Sequence, residues 1–381
     1  MKGIITSVAL AMVLFACKKN DLTVKQSSAV ATNELDATFD PQVQVLNSHL
    51  NYPWEILWGP DNFIWFTERE GTVNRMNPQT GEVIKVATIP DVATTTDYNG
   101  LLGMVLHPQF DTNPYVYVVY NYLAPSDTML EKVVRFTYNG TTLVSPMILV
   151  DSIVGKKNGN YIHNGSRLVI SPDMKLFIST ADANHRYTLP QDPNMLNGKI
   201  LRINLDGSIP ADNPFGNAVW AIGFRNPQGL VYANGKLYNS MHGESTDDEI
   251  NIIEKGGNYG WPYIQGYIDA DSIREVKFSA THQTIEPIYA WTPTIAPSGL
   301  DYYNSDAILP WKNSLLLAVL KDEKLAQLKL NADGTAITGE RDFLKGRFGR
   351  LRDVAISPTG EVYVCTDNGN NHDRIIRISA Q

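Results

Sequence analysis

The stretch RLVISPDMKLFISTAD, residues 167–182, reads as an apolar strand, a Pro-Asp turn and a returning strand. Five other stretches repeat that plan: WEILWGPDNFIWFTE (54–68), LGMVLHPQFDTNPYVYVVY (102–120), GLVYANGKLYNSMH (229–242), GLDYYNSDAILPWKNSLLLAVL (299–320) and RDVAISPTGEVYVCTD (352–367). Their starts lie about 50 to 70 residues apart, room for one four-stranded sheet each. Helical periodicity is absent between them, and Val, Ile, Tyr and Thr are frequent. Six sheets arranged radially leave only short, protected edges. The expectation is therefore an all-β, six-bladed β-propeller over residues 41–381. A pair of β-sandwiches or another all-β solenoid is the competing architecture.

The repeats also predict where a site would form. If each hairpin leaves one face of the disc and returns to it, residues just before the first strand and just after the second share that face. Before the first strands stand Asn99, His163-Asn164-Gly165, Arg225-Asn226, Thr294 and Arg350. After the second stand Glu68, Asp182, Gly243 and Lys321. Polar and titratable groups thus collect at one mouth of the channel. A lone histidine is more often a structural hydrogen-bonder than a catalyst. Asp182 across the same hairpin changes the reading of His163, because a carboxylate on one ring nitrogen leaves the other as a base. Arg225 and Asn226 would donate to an oxygen that gains negative charge. Lys321, Arg350 and Arg352 are either solvated surface charge or a cradle for a small polyanion.

Composition narrows the partners. A net charge of −8 argues against nucleic acid. At 43% hydrophobic residues the chain can build a core without disulfides. That matters because its only cysteines are Cys17 and Cys365. The run Ile4 to Phe15 is apolar, too short to span a bilayer, and follows Lys2. It ends in Leu14-Phe15-Ala16-Cys17, the pattern of a bacterial lipoprotein signal. The expectation is a signal peptide over 1–16, lipidation at Cys17, and a polar tether over 17–40. The protein would then be anchored in the cell envelope by lipid alone, facing the periplasm or the cell surface.

Between Leu201 and Trp261 the special residues crowd together: LRINLDGSIPADNP, FRNPQGL and HGESTDDEINIIEKGGNYGW. Loops this rich in turn-forming and charged residues usually carry function on a rigid scaffold. HGESTDDE (242–249) could hold a hard cation through backbone carbonyls, or be plain turn chemistry, since it lacks EF-hand spacing.

Taken in order, NGLLGMVLHPQFDTNP, HNGSRLVISPD, GKILRINLDGSIPADNP, FRNPQGL, DDEINIIEKGGNYGWP, PTIAPSGL and RLRDVAISPTG resemble the motifs of the soluble PQQ-dependent sugar dehydrogenases, the glucose/sorbosone dehydrogenase family. The resemblance runs from about Tyr52 to the C-terminus and implies a six-bladed propeller that oxidises the C1 hydroxyl of aldoses to lactones with PQQ and calcium. It also implies roles. His163 matches the general base and Asp182 the carboxylate that orients it. Arg225, with Asn226 beside it, matches the cation next to the quinone oxygen. Lys321, Arg350 and Arg352 match binders of the cofactor's carboxylates, and Thr294 a further polar contact. Gly243 and Glu244 match the carbonyl ligands of the catalytic calcium, and Asp248 a nearby carboxylate. Glu249 and Tyr259 match a second, structural calcium.

Two departures stand out. Tyr98 replaces a glutamine near the sugar, and Glu244 replaces a frequent proline. Shortened insertions suggest a more open mouth and broader aldose use. The alternative function is a propeller of the same kind that has lost catalysis and binds a glycan or protein. Fold alone does not separate the two.

Overall fold

The computed structural model describes residues 39–94, 98–126, 128–157 and 163–380. The expected signal peptide, Cys17 and nearly all of the tether lie outside them. Among the described residues, twenty-four strands form six sheets of four. The innermost strands are Pro53–Trp58, Leu101–Leu106, Gly165–Ile170, Pro227–Ala233, Pro297–Tyr303 and Leu351–Ile356, and each touches the next around a closed ring. The fold is the six-bladed propeller that the repeats predict, and each repeat forms the first two strands of one blade.

Ring closure uses a strand the repeats do not announce. Gln42–Leu50 pairs antiparallel with Asp373–Ser379 and becomes the outermost strand of the last blade. The last blade is thus built from both ends of the domain.

Packing explains why the inner strands read as apolar runs. Six large clusters fill the six seams between neighbouring blades, rather than one central core. Trp65, Leu101 and Val118 belong to the seam of the first two blades. Ile56, Ala355, Tyr363 and the thiol of Cys365 belong to the seam that closes the ring. Strands covered on both faces are expected to be continuously hydrophobic. The hairpin turns have a common geometry: Asn62, Met174 and Gly360 all have positive φ, at 60°, 59° and 87°. Asparagine and glycine adopt that region at low cost, which accounts for two of the three.

The axis itself is polar. Arg167 lies 2.7 Å from both Glu55 and Asp353, tying three blades together across the centre. Asp353 also accepts from the Ile56 N–H at 2.9 Å, and Glu55 from the Met104 N–H at 3.2 Å. Burial pushes Glu55 up more strongly than Arg167 pulls it down. A Cβ at Gly299 would sit 1.6 Å from Asp353 Oδ1, so only glycine fits there.

In all six blades the register of the first two strands slips at the start of the inner strand, as between Gly165 and Leu168 or Leu351 and Asp353. A bulge bends the strand and re-aims the side chains beside it. All six slips flank the same mouth.

Candidate active site

The mouth opens on a cavity of about 510 Å³. His163, Arg225, Asn226, Gly243, Glu244, Asp248, Thr294, Arg350 and Arg352 all line it. Residues separated by almost two hundred positions in sequence thus converge on one space.

His163 enters from the strained start of its strand, with φ of 68° followed by positive φ at Gly165 and Ser166. Non-glycine residues in this region are uncommon and cluster at functional sites. His163 Nδ1 lies 2.8 Å from Asp182 Oδ1. The same oxygen accepts from the Asn184 N–H at 2.8 Å, and Oδ2 accepts from the Trp261 indole at 2.9 Å. Burial raises the affinity of Asp182 for a proton. Hydrogen bonding and the charge of His163, with help from Asn184 and Trp261, outweigh it and leave the carboxyl below its ordinary value. An ionised Asp182 fixes Nδ1 as the protonated nitrogen of a neutral imidazole, leaving Nε2 as the basic one.

Arg225 is a cation waiting for a partner. Its Nη1 reaches the His242 carbonyl at 3.4 Å, while its buried Nε has no hydrogen-bond partner among the described residues. Burial pushes its pKa down. A buried guanidinium with an unused donor is costly unless an electron-rich group arrives.

A cation cradle forms the other wall. Arg352 pairs closely with Asp367 and donates to Gln228 at 2.9 Å. Arg350 is 3.7 Å and Arg69 4.0 Å from the same carboxylate. Arg350 and Arg352 thus share one carboxylate at the cavity wall. Arg69 was not legible as part of this group from its local sequence. Its place at the end of a second strand, next to Glu68, is the signal. Asp367 ends its repeat as Asp182 ends its own, in VCTD and STAD.

Other expected residues take more structural places. Asp248 accepts the N–H groups of Gly243, Ile295 and Ala296 at 2.7, 2.6 and 2.7 Å. It therefore shapes the mouth by pinning one loop to the next. Gly243 is required there, since a Cβ would meet the Thr246 carbonyl at 1.9 Å. Asn226 accepts from the Gly165 N–H and the Gln228 amide. Lys321 is exposed and donates to the carbonyl and hydroxyl of Thr294 at 2.7 and 3.0 Å, so it approaches the cavity at its rim. Glu68 is used away from the cavity, accepting from Asn51, Thr72 and Asn74.

The side chain of Glu244 adds no unbalanced charge, because Arg186 grips it with two hydrogen bonds of 2.8 and 2.5 Å. Glu249 is buried away from the cavity, accepting from Asn251 and the Gly266 N–H. The Tyr259 hydroxyl donates to the Ile252 carbonyl and accepts from the Glu254 N–H. Those two side chains are not brought together by any hydrogen bond. His242, which the sequence did not single out, lines the cavity between Arg225 and Arg352. Burial and those two cations push its pKa down to about 3, so it is a neutral imidazole.

A propeller with a histidine–carboxylate pair and a cluster of arginines lining one cavity at the end of its channel defines the class: a propeller built to hold an anionic ligand beside a base. The profile of the Glucose / Sorbosone dehydrogenase family matches residues 50–377, and the chain belongs to that family. It is 34% identical to quinoprotein glucose dehydrogenase B of Acinetobacter calcoaceticus, over 86% of each chain. The soluble aldose sugar dehydrogenase of Escherichia coli, in its apo-form, superposes with a TM-score of 0.80 at 30% identity, covering 90% of this chain and 100% of that one. The PQQ-bound aldose sugar dehydrogenase of Streptomyces coelicolor superposes at 0.75 and 30% identity, covering 90% and 99%.

Proposed function

We propose that this protein is a quinoprotein that oxidises the C1 hydroxyl of aldose sugars to lactones, with PQQ and calcium. The observation that carries the reading is that His163, oriented by Asp182, lines the same cavity as the arginine cluster around Asp367. The relatives above, a quinoprotein glucose dehydrogenase and a PQQ-bound sugar dehydrogenase, support it.

The residues present fit the cofactor. PQQ is a planar tricarboxylate, and the cradle offers Arg350 and Arg352 around Asp367, with Lys321 at the rim. Among the described residues the buried Nε atoms of Arg225 and Arg352 have no hydrogen-bond partner. For calcium the donors are the Gly243 and Glu244 carbonyls. Among the described residues no three His, Cys, Asp or Glu side chains gather as a metal site. A cation here would rely on those carbonyls and on the cofactor, and hard calcium accepts such oxygen donors.

When bound, PQQ supplies an electrophilic quinone that accepts a hydride. The protein does the rest. His163 Nε2 takes the proton from the C1 hydroxyl as the C1 hydrogen leaves with its electron pair. Asp182 keeps the imidazole oriented and stabilises the imidazolium that forms. Arg225 places positive charge where an oxygen becomes negative. Tyr98, 57% exposed at the rim, presents an aromatic ring rather than an amide to the sugar, consistent with broad aldose use.

Titrating purified protein with PQQ should show saturable binding that a calcium chelator abolishes and added calcium restores. Arg352→Ala should weaken it roughly ten- to a hundred-fold, the effect of losing a charge-assisted hydrogen bond. Binding indifferent to both would overturn the cofactor assignment.

We also propose that Cys17 is acylated and anchors the protein in the cell envelope. Cys17→Ser should move it from the membrane to the soluble fraction of a bacterial host, with an unchanged melting temperature. A mutant that still pellets with membranes would rule out the lipid as the anchor.

A further inference from the structure

Trp261 is almost fully buried, yet it touches both halves of the candidate active site. Its indole N–H donates to Asp182 Oδ2 at 2.9 Å. Its ring centroid lies 5.4 Å from the Arg225 guanidinium and 5.2 Å from that of Arg186. Packing alone would not require the N–H to meet the one carboxylate that serves His163. Asp182 has no other side-chain partner among the described hydrogen bonds besides His163 and Trp261.

We propose that Trp261 is a positioning residue for the base, its indole N–H anchoring Asp182 Oδ2 and limiting how much of the carboxylate's charge reaches the His163 imidazole. This rests on the reading of His163 as the base. The two oxygens divide the work: Oδ1 serves His163 and the Asn184 N–H, and Oδ2 serves Trp261. A donor on Oδ2 withdraws electron density from the whole carboxylate. With that donor present, the imidazolium is held less tightly and the ring stays a base further toward acid pH. The charged and titratable groups that face the pair are the same in wild type and in Trp261→Phe. Arg225 and neutral His242 lie on the cavity side, and Arg186 is held by Glu244. The indole also connects the base to Arg225, so that proton acceptor and cation share one rigid support.

The test is nuclear magnetic resonance on cofactor-free, full-length protein. His163 titration is followed in wild type and Trp261→Phe, which keeps an aromatic ring for the two guanidiniums and removes only the N–H. The expected result is that the His163 imidazole binds its proton roughly three- to ten-fold more tightly in Trp261→Phe, the effect of one lost hydrogen bond to the carboxylate. An unmoved midpoint, or one displaced toward acid, would overturn the proposal and leave Trp261 as packing.

A second measurement does not depend on that variant folding. In wild type one indole proton should titrate in step with the imidazole, and in His163→Ala it should stop. If no indole proton follows the imidazole, the shared carboxylate does not couple them and the proposal fails. Neither arm requires turnover. Failure of sugar oxidation would count against the proposed function, and failure here against Trp261 alone.

Discussion

His163→Ala should oxidise aldoses about a hundred to ten thousand times more slowly than wild type, the range for a positioned general base. Its affinity for PQQ should change little, because the cradle around Asp367 lies apart from the imidazole. Asp182→Asn should lose less, since an amide oxygen still accepts from Nδ1 without stabilising the imidazolium as a carboxylate does. In wild type, activity should fall toward acid pH as His163 takes a proton and ceases to accept one. His242 does not confuse that limb, because burial, Arg225 and Arg352 keep it neutral down to about pH 3. Dye-linked rates with saturating PQQ and calcium, measured across pH, are the check. A His163→Ala protein with the wild-type rate would remove the mechanism while leaving the propeller intact.

Arg167→Leu should lower the stability of the domain by about 3–5 kcal/mol, the usual effect of removing one partner from a buried ion pair. Two carboxylates, Glu55 and Asp353, lose their shared cation at once, and Trp54 loses the guanidinium 4.2 Å from its ring. Adding Glu55→Gln to the leucine variant should change the melt little further, because burial already favours the neutral form of Glu55 and the main opposing pull is lost with Arg167. Thermal melts of the three proteins decide this. A single variant that melts with wild type would mean that the axial charges are not mutually dependent.

Most of the fold was readable because each blade repeats one local plan. An apolar strand, a tight turn and a second strand are signals carried by neighbouring residues, such as Leu168 to Asp182. Closure was harder. Gln42–Leu50 pairs with residues over three hundred positions later, and nothing local marks a strand whose only partner is so distant. The site divides in the same way. His163 and Asp182 share one hairpin, so their meeting follows from its geometry. Arg69 and Asp367 come from different blades and meet only because the ring closes. Asp248 and Glu244 were visible as acids, but not that one would accept three backbone N–H groups and the other be held by Arg186. Side-chain type was legible there; the partner was not.

The shared last blade has a consequence for how the molecule is made. A ribosome delivers Gln42–Leu50 first and its mate Asp373–Ser379 last, 337 residues apart from Gln42 to Ser379. Earlier blades can pair strand by strand as they emerge, but the opening strand, though it packs against the first blade, has no strand partner until the end of synthesis. Bringing such distant segments together carries an entropy cost that grows slowly with loop length, and by then the assembled blades have already curved the chain toward closure. Completing the last blade therefore joins the oldest part of the chain to the newest. The contact of Arg69 with Asp367 across the closing seam is complete only then, whereas His163 and Asp182 meet within one hairpin.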